Sequence, residues 1–488
     1  MERYRYRNIG ILTVITLLLF YPLFYVHYFY TDEVLQLWNY RKGSGFAMFT
    51  VQGRYITDIL FRYLYSHIDS IRQLSGLRIF SLIGWICCLP IWYMIIDKVC
   101  RKEGLSSLIP FFSVLYLITS LPFEVGVQWA SCMELSIANT AGLLSGYILY
   151  VHIRLENGRV TVPNRGIFLA MLPGLVALFT YQNGFGCFLL PFFLQGLAQK
   201  KAPRSFLLVL FVYFLTYGVY FLLFLLQRHF GHFTPDARGG FVDNPLAKIY
   251  FMFAKPLGGA FYFNWIVREN NFSAHIVYMA VFAICLAVNL RHTKGRLGYI
   301  IFIIGSFFLV YLPSLVVHEN YASNRTLLAL DMTVFTWVFT TLLKELRDRR
   351  RQMWGAAILG ALLVGRCWYN FHYVFLQPAK EEYEKIKGFV EAQYRPGMVN
   401  VEYIQTSEDR VRTKYGISSS WDEFGMSSSY FKWVPEVLVR QLIFEKTGDR
   451  STAEKISVKS WQDKSAWLGS PHSSSPETLV IDVEDILR

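Results

Sequence analysis

The sequence predicts a mainly α, polytopic helical membrane protein with about 11 transmembrane helices and a small C-terminal extracytoplasmic α/β domain. Three observations predict it. Apolar runs about 20 residues long recur through the first 376 residues, basic residues collect in alternate short loops, and the chain turns polar from Gln377 onward. A helix needs about 20 apolar residues to cross a ~30 Å hydrocarbon layer. Of 488 residues, 53% are hydrophobic and 17% aromatic, and soluble cores do not ask for that apolar length repeatedly.

The first run, about Ile9 to Tyr28, follows Arg3, Arg5 and Arg7 and continues into bulky aromatics. A cleaved signal peptide has a shorter apolar region and a small-residue cleavage site, so a retained helix is predicted. Later runs centre near residues 87, 112, 143, 173, 191, 216, 282, 307, 335 and 364. With the amino terminus inside, "KVCRKEG", "RLENGRVTVPNR", "KKAPR", "RHTKGR" and "KELRDRRR" all fall inside too, as the positive-inside rule requires. An odd number of spans then puts the tail outside. Residues 246–266 hold two lysines, a proline and a glycine pair. Counting them as a span would invert every later loop, so an interfacial or re-entrant element is expected. The predicted units are therefore 1–376, with long outer loops at 29–75 and 228–273, and 377–488.

In the tail, "KEEYEKIKGFVEAQY" and "PEVLVRQLIFEK" suit helices, while "NVEYI" and "TLVIDV" suit strands. Its 15 basic and 18 acidic residues leave 33 basic and 17 acidic in the apolar part. The net charge of +13 thus serves topology, and no basic stripe with interleaved aromatics points to nucleic acid. The seven cysteines all lie in or beside apolar runs and form neither a disulfide framework nor a zinc spacing.

The polar residues that carry chemistry collect at one set of span ends. Tyr30-Thr31-Asp32-Glu33 follows the first span, with Thr31 a candidate helix cap. The same loop holds Gln52-Gly53-Arg54-Tyr55; other outer ends hold Thr180-Tyr181-Gln182-Asn183 and the stretch from His318 and Glu319 to Asn324-Arg325. Glu124, Gln128, Glu134, Arg228, His229, His232, Lys255 and Arg268 complete the outer set. Ionisable groups at span ends are costly to bury, which favours function over decoration. The bland readings are solvated carboxylates, an ion-paired Arg54, a snorkelling Arg325 and packing for Tyr181 and Gln182.

An acidic pair directly after the first span, a Gly-Arg-aromatic motif in a long first outer loop, a Tyr-Gln pair and a late arginine at a span mouth resemble the GT-C superfamily of membrane glycosyltransferases. The likeness covers about 1–376 and is nearest to bacterial O-antigen glucosyltransferases. The protein O-mannosyltransferases and arabinosyltransferases share the general plan. It implies an inverting enzyme in a bacterial cytoplasmic (inner) membrane that moves a sugar from a polyprenyl-phosphate donor to a glycan, lipid or protein acceptor outside. By this likeness Asp32 is the general base, and Glu33 orients the acceptor, holds Asp32 or helps bind a metal. Arg54, Arg325 and His318 bind donor phosphate, while Gln52, Glu124, Tyr181, Gln182 and Glu319 line the pocket. A divalent cation (Mg, Mn or Ca), held by Asp32 and Glu33 if by any residues, is left open. A transporter or flippase of lipid-linked saccharide, and a polysaccharide polymerase or ligase, are the competing expectations.

Overall fold

The computed structural model describes residues 2–156, 159–231, 240–268, 271–291, 293, 295–470 and 477–488. The expected His232 lies outside them. The protein is mainly helical. Among the described residues four helices are long and apolar enough to cross a membrane: Tyr4–Phe24, Ile71–Lys102, Phe206–Gly231 and Phe272–Arg291. The pair Ile109–Thr119 and Leu121–Gln128, bent by 48°, makes a fifth if counted as one span. The other apolar runs of the sequence form shorter, bent or less apolar helices such as Asn164–Thr180 and Arg296–Val310. Residues 246–266 form two short helices, Pro245–Ala254 and Pro256–Phe261, broken at Lys255. The proline and the following glycines keep them from joining into one straight rod.

Close helix contacts position the site. Gly142 and Gly146 lie on one face of Leu135–His152; a Cβ on them would sit 2.2 Å from the Gly184 carbonyl oxygen and 2.0 Å from that of Phe188. Only glycine at this i, i+4 spacing lets the 3-10 segment Gln182–Leu189 lie against the helix backbone. At the other end of the bundle Asp97 binds Arg5 at 2.7 Å and Arg101 at 2.8 Å, tying the first helix to Leu74–Lys102.

The loop after the first helix carries the short helices Asp32–Asn39, Ala47–Thr50 and Tyr55–Tyr65. Helix Arg349–Tyr369 runs through a π-helical turn, Asn370–Leu376, into Gln377–Gln393. Beyond it lies a three-stranded parallel sheet in the order Ser457–Trp461, Asn400–Ile404, Thr478–Asp482. The central strand is buried along four of its five residues, as a sheet covered by helices requires. Helix Val434–Thr447 packs on this sheet and also against Asp32–Asn39. Gln441 donates to the Asp69 carbonyl at 2.8 Å and Glu445 accepts the Ile71 N–H at 2.7 Å. The carboxy-terminal region thus rests directly on the loop that holds the acidic pair.

Candidate functional site

Asp32 and Glu33 open the helix Asp32–Asn39, where the exposed N–H groups favour carboxylates. Thr31 makes no side-chain cap; its backbone is in a strained conformation with φ 35°, and its N–H donates to the Ser428 hydroxyl at 3.2 Å. Asp32 is half-buried, whereas Glu33 is fully buried. Glu33 forms an ion pair with Arg78, itself 0% exposed, and accepts the N–H groups of Tyr30 and Ala130. Arg78 also donates to the Tyr28 carbonyl at 3.1 Å and lies over the Tyr28 ring, 3.6 Å from its centre. Burial pushes the Glu33 carboxyl up while Arg78 and the two amides hold it down. The expectation that Glu33 orients acceptor or binds metal is corrected: its oxygens are taken up inside the protein, and it fixes the start of the helix that presents Asp32.

Two motifs 128 residues apart meet. Arg54 stacks over Tyr181, 4.3 Å from the ring centre, and donates from Nε to Gln182 at 3.3 Å. Gln182 donates to the Gln52 carbonyl at 2.7 Å and to the Tyr220 hydroxyl at 2.8 Å. Gly53 has φ +75°, and a Cβ there would lie 2.3 Å from the Tyr220 hydroxyl. Glycine is therefore required twice, for the backbone turn and for the approach of Tyr220.

Arg325 reaches the same tyrosine from another side. It lies 4.9 Å from the Trp129 ring centre, and both Arg325 and Arg54 act on the buried Tyr181 hydroxyl, which burial pushes up to about 12. Its turn, Asn324–Thr326, is held by the carboxy-terminal region. Asp422 accepts the Asn324 N–H at 2.8 Å and a bond from Tyr321; Glu423 accepts from Ser323 at 2.7 Å and from the Asn324 amide at 3.3 Å. Within electrostatic reach of both arginines is Glu134, 1% exposed, with one carboxylate oxygen lacking any hydrogen-bond partner. Burial raises its carboxyl to about 7, against the opposing pull of its own backbone N–H, Arg54 and Arg325. Glu134 and Asp32 both act on the buried Tyr65 hydroxyl, which donates to Gln36 at 2.9 Å. Asp32, Glu134, Arg54, Arg325, Tyr181 and Gln182 therefore form one neighbourhood.

Other expected residues lie elsewhere. His318 is exposed and paired with Asp243 at 3.0 Å, and the exposed Glu319 accepts from Lys248 through its carbonyl at 2.7 Å. These placements correct the expected phosphate and pocket roles: a strand-like bridge between Phe241 and Val317 holds both residues out in solvent. Glu124 is fully buried in the second helix of the bent pair, beside Cys367, Asn370 and Arg366. Among the described residues no three His, Cys, Asp or Glu side chains gather into a metal site. With Glu33 committed to Arg78, the acidic pair does not fit an all-protein cage of the kind calcium takes, which needs about six or more oxygens.

Sequence reading missed three participants. Arg78 sits inside an apolar helix, which is itself a signal, since a charge there needs a partner. Glu134 was visible as an outer carboxylate but not as the one that both arginines act on. Asp422-Glu423 repeats the acidic dipeptide of the first loop, yet nothing local ties it to Arg325. No family model matches the chain, and no curated protein matches it.

Proposed function

We propose that the protein is an inverting membrane glycosyltransferase that uses a polyprenyl-phosphate sugar, with Asp32 as general base. The observation that carries this reading is a neighbourhood in which Arg54 and Arg325 act on Glu134 and on the buried Tyr181, while Glu134 and Asp32 both act on the buried Tyr65. Arginine suits a phosphate because its planar fork is always charged and bonds two oxygens at once. A carboxylate beside it suits the acceptor, whose hydroxyl is a poor nucleophile until its proton is taken.

In the proposed reaction the acceptor oxygen attacks the anomeric carbon from the face opposite the phosphate while Asp32 takes its proton. The bond from the anomeric carbon to the phosphate oxygen breaks, and its electron pair leaves with polyprenyl phosphate. Arg54 and Arg325 stabilise the charge that grows on that oxygen. The long apolar helices agree with a donor held by its lipid tail. The reading places the amino terminus inside, about eleven spans across a bacterial cytoplasmic membrane, and residues 377–488 outside as an α/β domain over the site.

The test is to incubate purified protein with a panel of polyprenyl-phosphate sugars and acceptor saccharides and follow release of polyprenyl phosphate. Release with at least one sugar is expected. Transport of intact lipid-linked sugar in vesicles, without cleavage, would favour the flippase reading instead.

A further inference from the structure

A cavity of about 300 Å³ lies away from this site, between the chain leaving the first long helix and the helix Gln377–Gln393. Tyr25, His27, Lys380, Glu384, Lys387 and Glu391 line it. Next to it exposed aromatics form a band: Tyr21, Phe24 and Tyr25 on one side, and on the other Trp368 and Tyr373, in the helix and π-helical turn that lead into Gln377–Gln393. His372 joins the two halves, 6.0 Å from Tyr21 and 5.0 Å from Trp368 between ring centres. Such a band marks the depth of lipid headgroups, so the cavity opens at headgroup level.

Its lining has both signs of charge. Lys380 and Lys387 each stand 3.8 Å from a glutamate, Glu384 and Glu391. That separation exceeds an ordinary charge-assisted bond of about 2.8 Å and leaves donors and acceptors for a guest. His27 is held by the Ser75 hydroxyl at 2.9 Å. Burial, together with Arg72, Arg78 and Lys387, pushes its imidazole toward the neutral form. An anion alone would meet two carboxylates here, and a cation alone two ammonium groups. A guest carrying one of each satisfies both.

We infer that this cavity binds the phosphoethanolamine headgroup of a membrane phospholipid, with phosphate toward Lys380 and Lys387 and ammonium toward Glu384 and Glu391. The inference depends on the membrane placement, not on glycosyl transfer. A lipid there bridges the first span and the helix leading to the carboxy-terminal region.

The experiment is native mass spectrometry of the detergent-purified full chain titrated separately with phosphatidylethanolamine, phosphatidylglycerol and soluble glycerophosphoethanolamine. Phosphatidylethanolamine is expected to bind at least about fivefold better than phosphatidylglycerol. Lys380→Gln with Lys387→Gln should weaken it about tenfold or more, at about one charge contact per lysine. Glu384→Gln with Glu391→Gln should reverse the preference toward phosphatidylglycerol. All four side chains are at least one-third exposed, so the variants are expected to fold, which their unchanged unfolding temperature would check. Equal or tighter binding of phosphatidylglycerol by the native protein, or indifference to the lysine substitutions, overturns the inference. Glycerophosphoethanolamine binding as tightly as the lipid overturns its assignment to a membrane component.

Discussion

Arg78 and Glu33 form a fully buried ion pair, and such pairs are costly to break from one side. Arg78→Ala leaves a buried carboxylate without its cation, which costs about 3–5 kcal/mol; a large drop in unfolding temperature of the detergent-solubilised protein is expected. Glu134, like Glu33, is a carboxylate that folding makes harder to ionise, but without an ion-pair partner of its own at hydrogen-bond distance among the described residues. Its ordinary value of 4.5 rises to about 7, so the folded chain holds the proton more tightly than the unfolded one. Below about pH 4.5 both states are protonated and nothing is lost. Stability then falls as pH rises from there to about 7, and the full cost, about 3 kcal/mol, persists above. Glu134→Gln should therefore raise the unfolding temperature at pH 8 and leave it unchanged at pH 4.5. Gly53→Ala would put a methyl group against the Tyr220 hydroxyl in a left-handed turn. A loss of about 1–2 kcal/mol is expected, with weaker grip of Gln182 on its neighbours.

At the scale of elements, local pattern and long-range pairing part company. The helices Gln377–Gln393 and Val434–Thr447 and the strands Asn400–Ile404 and Thr478–Asp482 were legible because periodicity and punctuation are local. The strand Ser457–Trp461, with only half-buried or exposed residues, offered no such alternation. The start of Asp32–Asn39 read as a Thr cap, but Thr31 is committed by its backbone to Ser428, 397 residues away. Likewise Glu33 was visible as half of an acidic pair, while its partners Arg78 and Ala130 lie 45 and 97 residues on. The turn Asn324–Thr326 depends on acids of the carboxy-terminal region in the same way. Asp422→Ala with Glu423→Ala should free that turn and lower transfer by at least about tenfold, through a misplaced Arg325. Near-normal transfer in this variant would show that Arg325 needs no such support.

For the whole molecule the apolar length pattern foretold a helical fold with membrane-length helices, because crossing hydrocarbon depends on length more than on partners. The count of spans is less direct, since bent and short helices also fill the bundle. Sidedness is the cheaper quantity to measure. In a Cys87→Ser background, exposed Lys42→Cys and Lys459→Cys are expected to react with a membrane-impermeant thiol reagent in intact cells. Lys102→Cys and Arg296→Cys, equally exposed, should react only after lysis. Labelling of all four from outside would break the topology that the function needs.

The central claim is that Asp32 takes the acceptor proton in a glycosyl transfer. The direct measurement is polyprenyl phosphate release by the native protein and by Asp32→Asn on the same donor and acceptor, with donor binding measured alongside. The account predicts a loss of about 10²–10⁴-fold in rate with folding and donor binding preserved. Near-native release by Asp32→Asn would contradict it.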